Sequence, residues 1–95
     1  MEEEVTYIKA IEGEDFNYYR KFGMDISLGG VLLKYNGTAS EVEIPFGVVE
    51  IADEAFKNCK ALQSVLIPDS VKRIGAEAFY HCTNLWELRI PPRPL

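Results

Sequence analysis

The chain repeats a pattern of apolar residues with a period of 23 residues between positions 41 and 90. The dipeptide Ile-Pro stands at 44–45, 67–68 and 90–91. The other matching rows are Val42/Val65/Leu88, Val48/Val71, Ile51/Ile74, Ala55-Phe56/Ala78-Phe79, Cys59/Cys82 and Leu62/Leu85. Because one repeat of this length cannot bury its apolar residues alone, the pattern predicts a solenoid whose coils stack on one another.

One repeat illustrates the predicted coil. Residues 65–67 are expected to form a short strand whose first and third side chains point inward. Gly75 is expected to permit a tight bend, and residues 76–80 to form about one helical turn. Phe79 would then fill the centre of the coil, while Tyr80 points outward. The preceding repeat follows the same plan.

The first part of the chain changes pattern. Residues 25–44 alternate with a period of two, which predicts an antiparallel β meander that caps the first coil. Its hairpin turn is placed at the pair 29–30, and Val31, Leu33 and Tyr35 are expected to share one face. Residues 1–24 form a separate N-terminal segment with a helix over 15–22, although its start also has strand character. Residues 25–95 therefore hold the cap and about two and a half repeats.

The string IPDSVKRIGAEAFYHCTNLWELRIP, residues 67–91, resembles the BspA-like, or treponemal-type, leucine-rich repeat. Residues 44–68 match the same pattern with Gly47 and Ala52 at two of its positions. The resemblance implies an α/β fold, a short right-handed solenoid with a parallel sheet on its concave side. It also implies a bacterial or protist surface protein involved in adhesion or protein binding, without catalytic residues.

Charge and hydropathy exclude several partners. The net charge of −5 is spread along the chain, and no basic patch for a nucleic-acid backbone is apparent. No apolar run approaches the roughly 20 residues of a membrane span, so membrane insertion is not expected. The N-terminal sequence lacks the pattern of a signal peptide, which leaves a cytoplasmic location open beside the cell surface that the resemblance implies.

Cys59 and Cys82 lie one period apart and should stack about 5 Å from each other, the spacing of neighbouring strands. This separation suits either a disulfide or two small residues in the core, and the core assignment is favoured. His81 is expected to point to solvent. With a single histidine and no third or fourth ligand apparent, no metal site, cofactor or catalytic centre is predicted.

The candidate binding surface combines outward strand positions with residues at the strand entrances. The outward positions are Glu43, Leu66 and Arg89, and the entrance residues are Gln63 and Trp86. Exposed tryptophan beside leucine and arginine has the composition of a binding hot spot. Alternatively, Trp86 covers the last coil.

The resulting functional hypothesis is a non-catalytic protein-interaction module with a protein partner. The alternative is a structural unit, which caps a longer array or self-assembles. Strand 88–90 would end the solenoid with unpaired backbone groups above an apolar layer, which is an unfavourable edge. We therefore expect that the chain forms a homo-oligomer through its C-terminal edge, or that residues 91–95 and Trp86 fold over the layer.

Overall fold

The structure, a computed structural model, describes residues 5–90. Its elements are short strands and one 3₁₀ helix. They are β1 (Tyr7–Ile8), the 3₁₀ helix (Phe16–Phe22), β2 (Met24–Ile26), β3 (Val31–Tyr35), β4 (Glu41–Glu43), β5 (Glu50–Ile51), β6 (Ser64–Leu66), β7 (Arg73–Ile74) and β8 (Glu87–Arg89).

The strands form two sheets of four strands each. Sheet A has the order β1-β4-β6-β8 and is parallel throughout, whereas sheet B has the order β2-β3-β5-β7 with an antiparallel first pair. From β4 to β6 to β8, and from β5 to β7, partner residues differ by 23. The repeat period therefore is the step from one coil to the next, as the sequence predicts.

Residues 5–24 of the N-terminal segment are packed onto the first coil. Strand β1 pairs with β4 in parallel, where the sequence left helix and strand both possible. The predicted helix over 15–22 appears as the 3₁₀ helix, which Asp15 caps by accepting a hydrogen bond from the Tyr18 amide. Gly23 ends it with φ of 94°, a conformation that glycine adopts without a side-chain clash.

The predicted meander over 25–44 is wrong beyond its first pair of strands. Strands β2 and β3 form an antiparallel hairpin, but β4 leaves them and joins sheet A. The turn uses Gly30 at positive φ, and Leu28 lies exposed at its tip. The predicted faces of β3 are also wrong, because Leu33 is a bulge residue that no residue of β2 opposes. The bulge reverses the alternation, so that Leu32 and Tyr35 are both buried.

The repeats are built from strands and turns. The predicted helical turn at 76–80 is a series of turns, since Glu77 and His81 adopt positive φ of 55° and 60°. Their equivalents 23 residues earlier, Glu54 and Asn58, do the same at 59° and 65°. Positive φ is incompatible with a continuing right-handed helix, and the described repeats therefore lack the α component of the predicted α/β class.

The core is a column of side chains that continues from coil to coil. Tyr35, Phe56 and Phe79 stack with ring-centroid distances of 5.3 Å and 5.0 Å. Phe56 in the middle is fully buried, and Phe79 at the end is half-buried. Tyr80 is exposed, as the repeat pattern predicts.

We predict that Phe56→Ala lowers the free energy of unfolding by about 3–5 kcal/mol, because it empties the middle of this column. Tyr80→Ala serves as the control and should lower that free energy by about 1 kcal/mol or less, because it removes only surface contacts of the ring with His81 and Lys57. Urea unfolding followed by circular dichroism measures both. Equal losses for the two variants would show that the assignment of inward and outward faces is incorrect.

Gly75 is required by a close approach of two coils. A Cβ atom at this residue would lie 2.4 Å from the Asp53 amide nitrogen and 2.8 Å from the Ala52 carbonyl carbon. Backbone atoms cannot move aside as a flexible side chain can. The sequence predicts glycine here for a tight bend. The structure adds a second reason, which is that a side chain at Gly75 would clash with the neighbouring coil.

For this reason Gly75→Ala should destabilise the fold by about 1–3 kcal/mol, the usual cost of overpacking. Ala52→Gly, at the equivalent position one coil earlier, should cost about 0.5–1 kcal/mol through backbone entropy alone. The melting temperatures of the two variants provide the comparison. A stabilising effect of Gly75→Ala would rule out the close approach.

Candidate functional site

The outer face of sheet A carries two rows of side chains that the parallel register sets side by side. Tyr7, Glu41, Ser64 and Glu87 make one row across the four strands. Glu43, Leu66 and Arg89 make the second row across β4, β6 and β8. Strands in a sheet lie about 4.8 Å apart, so each row presents a continuous line of contacts. A shallow groove of about 130 Å³ runs between the rows.

Glu43 is engaged by the N-terminal segment. Its carboxylate accepts hydrogen bonds from the Tyr7 hydroxyl and from the Ala10 amide, the latter at 2.9 Å. The bond to Glu43 raises the pKa of Tyr7, because it stabilises the protonated hydroxyl. Of the predicted surface residues, Glu43 therefore serves to hold residues 7–10 against the sheet.

Gln63 and Trp86 lie just before β6 and β8 and are positioned by the backbone ladder. The Gln63 amide donates to the Ser40 carbonyl at 2.7 Å, and the Trp86 amide donates to the Gln63 carbonyl at 3.0 Å. Both side chains are exposed, and that of Trp86 is 73% accessible. The indole is thus presented to solvent.

Leu66 and Arg89 lie opposite each other in the second row of the outer face, on β6 and β8. Leu66 is half-buried and supplies an apolar floor, and Arg89 is exposed at the edge of the sheet. The Arg89 Nε lies 3.9 Å from a carboxylate oxygen of Glu87, a loose ion pair in solvent. Such a pair contributes little to stability, and the guanidinium stays accessible to a ligand.

The sequence did not indicate that Tyr7 belongs to this face. Tyr7 is paired with Glu41, 34 residues later, and this spacing differs from the repeat period. The 3₁₀ helix, β2 and β3 lie between the two strands and account for the longer connection. The stretch Val5-Thr6-Tyr7-Ile8 has strand character, but no periodic signal indicates which strand it pairs with.

Both cysteines are free thiols packed half-buried beside the core. The Cys82 thiol lies 3.0 Å from the Phe56 carbonyl oxygen, to which it donates, and the Cys59 thiol donates to the Tyr35 carbonyl at 3.9 Å. Burial, with a smaller contribution from neighbouring Cys82, raises the pKa of Cys59 to about 11. Burial likewise raises the pKa of Cys82. Protonated thiols are poor nucleophiles, which fits the predicted structural role.

We expect the folded chain to react with iodoacetamide much more slowly near neutral pH than the urea-unfolded chain does. Because the pKa of Cys59 is higher in the folded state, its stabilising contribution is complete below 9.0 and is lost as the pH rises toward 11. The free energy of unfolding should therefore fall less steeply over this range in Cys59→Ala. An equal pH dependence of the free energy of unfolding in the intact chain and in Cys59→Ala would contradict the raised pKa of Cys59. A lower melting temperature with reductant would contradict the assignment of both cysteines as free thiols.

His81 is exposed, and its Nδ1 lies 3.2 Å from the Asn58 amide oxygen one coil earlier. Among residues 5–90, no group of three or more His, Cys, Asp or Glu residues is arranged to hold a metal ion. No helix in this part of the chain has the length and apolar character needed to cross a membrane.

The two four-stranded sheets and the 23-residue register define a repeat solenoid. A family model described as the BspA type leucine rich repeat region (6 copies) matches residues 31–94. The chain belongs to this family, as its motif indicated.

A solved structure supports the same family assignment. The crystal structure of a T. pallidum leucine-rich repeat protein superposes with a TM-score of 0.66 at 31% sequence identity. The alignment covers 87% of this chain and 40% of that protein, so the chain spans less than half of its length. A search of curated proteins finds no match.

Proposed function

We propose that the chain is a non-catalytic protein-interaction module whose partner docks on the outer face of sheet A and on Trp86, which precedes β8 at the edge of that sheet. The exposure of Trp86 carries this proposal. A solvated indole at the edge of a rigid sheet offers a large contact area at little entropic cost on binding. Membership of a leucine-rich-repeat family supports it, since repeat solenoids bind partners on extended surfaces.

The chemistry of this face favours a partner segment that combines apolar and basic side chains. Trp86 and Leu66 offer apolar area, and Glu41 is an exposed carboxylate in the adjacent row. A lysine or arginine of the partner could pair with Glu41 while a neighbouring apolar residue packs on the indole. Charges at the rim of such a contact contribute mainly to specificity and association rate.

A random peptide library displayed on phage tests this proposal. Peptides selected on the intact chain should bind Trp86→Ala and Leu66→Ser at least roughly tenfold more weakly, which is the effect of a hot-spot residue. Tyr80→Ala is the matched control, because it removes an exposed aromatic ring from the turns between β7 and β8. This variant should bind the peptides with unchanged affinity. Titration calorimetry with synthetic peptides gives the dissociation constants.

Two results would overturn the proposal. One is a selection that enriches no peptide on the intact chain. The other is a set of enriched peptides whose affinity is the same for the intact chain, Trp86→Ala and Leu66→Ser, because the binding surface would then lie elsewhere.

A further inference from the structure

The last described coil exposes apolar residues at positions that the preceding coil buries. The exposed fractions are 0% and 46% for Ile51 and Ile74, 0% and 48% for Val65 and Leu88, and 3% and 69% for Ile67 and Ile90. An open groove of about 440 Å³ lies at this end, next to Ile74 and Ile90. The groove is lined by apolar residues of the kinds that pack between coils elsewhere in the protein. A further apolar layer would therefore fit against it.

One side of strand β8 carries backbone groups that can form hydrogen bonds with a further strand. The Arg89 carbonyl accepts from the Ile67 amide at 2.7 Å, and the Glu87 amide donates to the Gln63 carbonyl at 3.3 Å. Because successive residues of a strand direct their N–H and C=O groups to opposite sides, those of Leu88 point away from β6. Within residues 5–90, no strand pairs with that side of β8.

The residues around Leu88 are complementary to themselves when the strand is reversed. In an antiparallel pair of two such strands centred on Leu88, Glu87 lies opposite Arg89 of the other copy, and Arg89 lies opposite its Glu87. Trp86 lies opposite Ile90 in the same register. Cross-strand pairs of opposite charge stabilise a sheet, and the two Leu88 residues would exchange both of their backbone hydrogen bonds.

We propose that two copies of the chain associate through their β8 strands, antiparallel, about a twofold axis at Leu88. This joins the two A sheets into one sheet of eight strands and covers the apolar layer of each copy with that of the other. The same axis brings the β7 strands together. Arg73 on β7 is already paired with Glu50 of its own chain, Nη1 to Oε2, at 2.8 Å, which limits the repulsion between like charges there.

Head-to-tail stacking of copies is less favourable. The N-terminal end of the solenoid buries Ile8 and Tyr19, and its exposed apolar residues Val5, Tyr7 and Ile11 lie outside the 23-residue repeat that positions those beside β8. Strand β1 would place Tyr7 and Ile8 against Glu87 and Leu88, without a charge to pair with Glu87. The twofold arrangement pairs the opposite charges, bonds the backbone groups of Leu88 and covers the apolar layer at the same time.

Sedimentation equilibrium of the intact chain over a range of concentrations tests the association. The apparent mass should rise from one chain to two, and dilution should shift the emission of Trp86 to longer wavelength. Glu87→Arg and Arg89→Glu each replace both attractive pairs of the dimer by like-charge pairs. Each should weaken association by roughly fivefold to tenfold.

The double variant Glu87→Arg/Arg89→Glu restores opposite charges across the axis and should associate about as strongly as the intact chain. Glu12→Arg makes the same charge change at an exposed residue that follows β1, at the other edge of sheet A, and should leave association unchanged. A chain that stays monomeric at every concentration would overturn the proposal. An association that the single variants leave unchanged, or that the double variant fails to restore, would also overturn it, because head-to-tail stacking has no such reciprocal pairs.

Discussion

The parallel register between neighbouring coils is the interaction on which the rest of this structure depends. It places Val42, Val65 and Leu88 in one column and Phe56 over Phe79 in another. A side chain in such a column is buried by its equivalent in the next coil, so no coil forms a complete core alone. Even polar contacts follow this step, as the hydrogen bond of 2.8 Å from the Ala76 amide to the Asp53 carboxylate shows.

The two ends of the solenoid differ in how the apolar columns are covered. At the N-terminal end the 3₁₀ helix and the β2–β3 hairpin cover the first coil, and Tyr19 and Met24 are buried there. At the other end the columns continue to Leu88 and Ile90, which are exposed within the described part of the chain. The two proposals share Trp86, which the pairing of two copies would cover, so a partner on Trp86 and a second copy on β8 would compete. The outer face of sheet A supports partner binding, and the free edge of β8 supports pairing of two copies.

The candidate site could be predicted from the sequence as far as the repeats extend. The rows that contain Ser64, Leu66 and Arg89 follow directly from the period, since equivalent residues lie on adjacent parallel strands. The role of Glu43 could not be predicted in this way, because its partners Tyr7 and Ala10 come from outside the repeats. The long connection between β1 and β4 carries no periodic signal.

The sequence by itself determined the period, the residues of the core columns and, to within one residue at each end, the strands β4, β6 and β8. A repeated apolar pattern specifies these features because each coil makes the same contacts with its neighbours. The tertiary structure alone decided that β4 leaves the hairpin for sheet A, that Leu33 is a bulge and that two-residue strands build sheet B. It also decided that turns with positive φ replace the expected helix. These outcomes depend on pairing between distant segments, whose backbone hydrogen bonds outweigh the weak preference of a few residues for helix or strand.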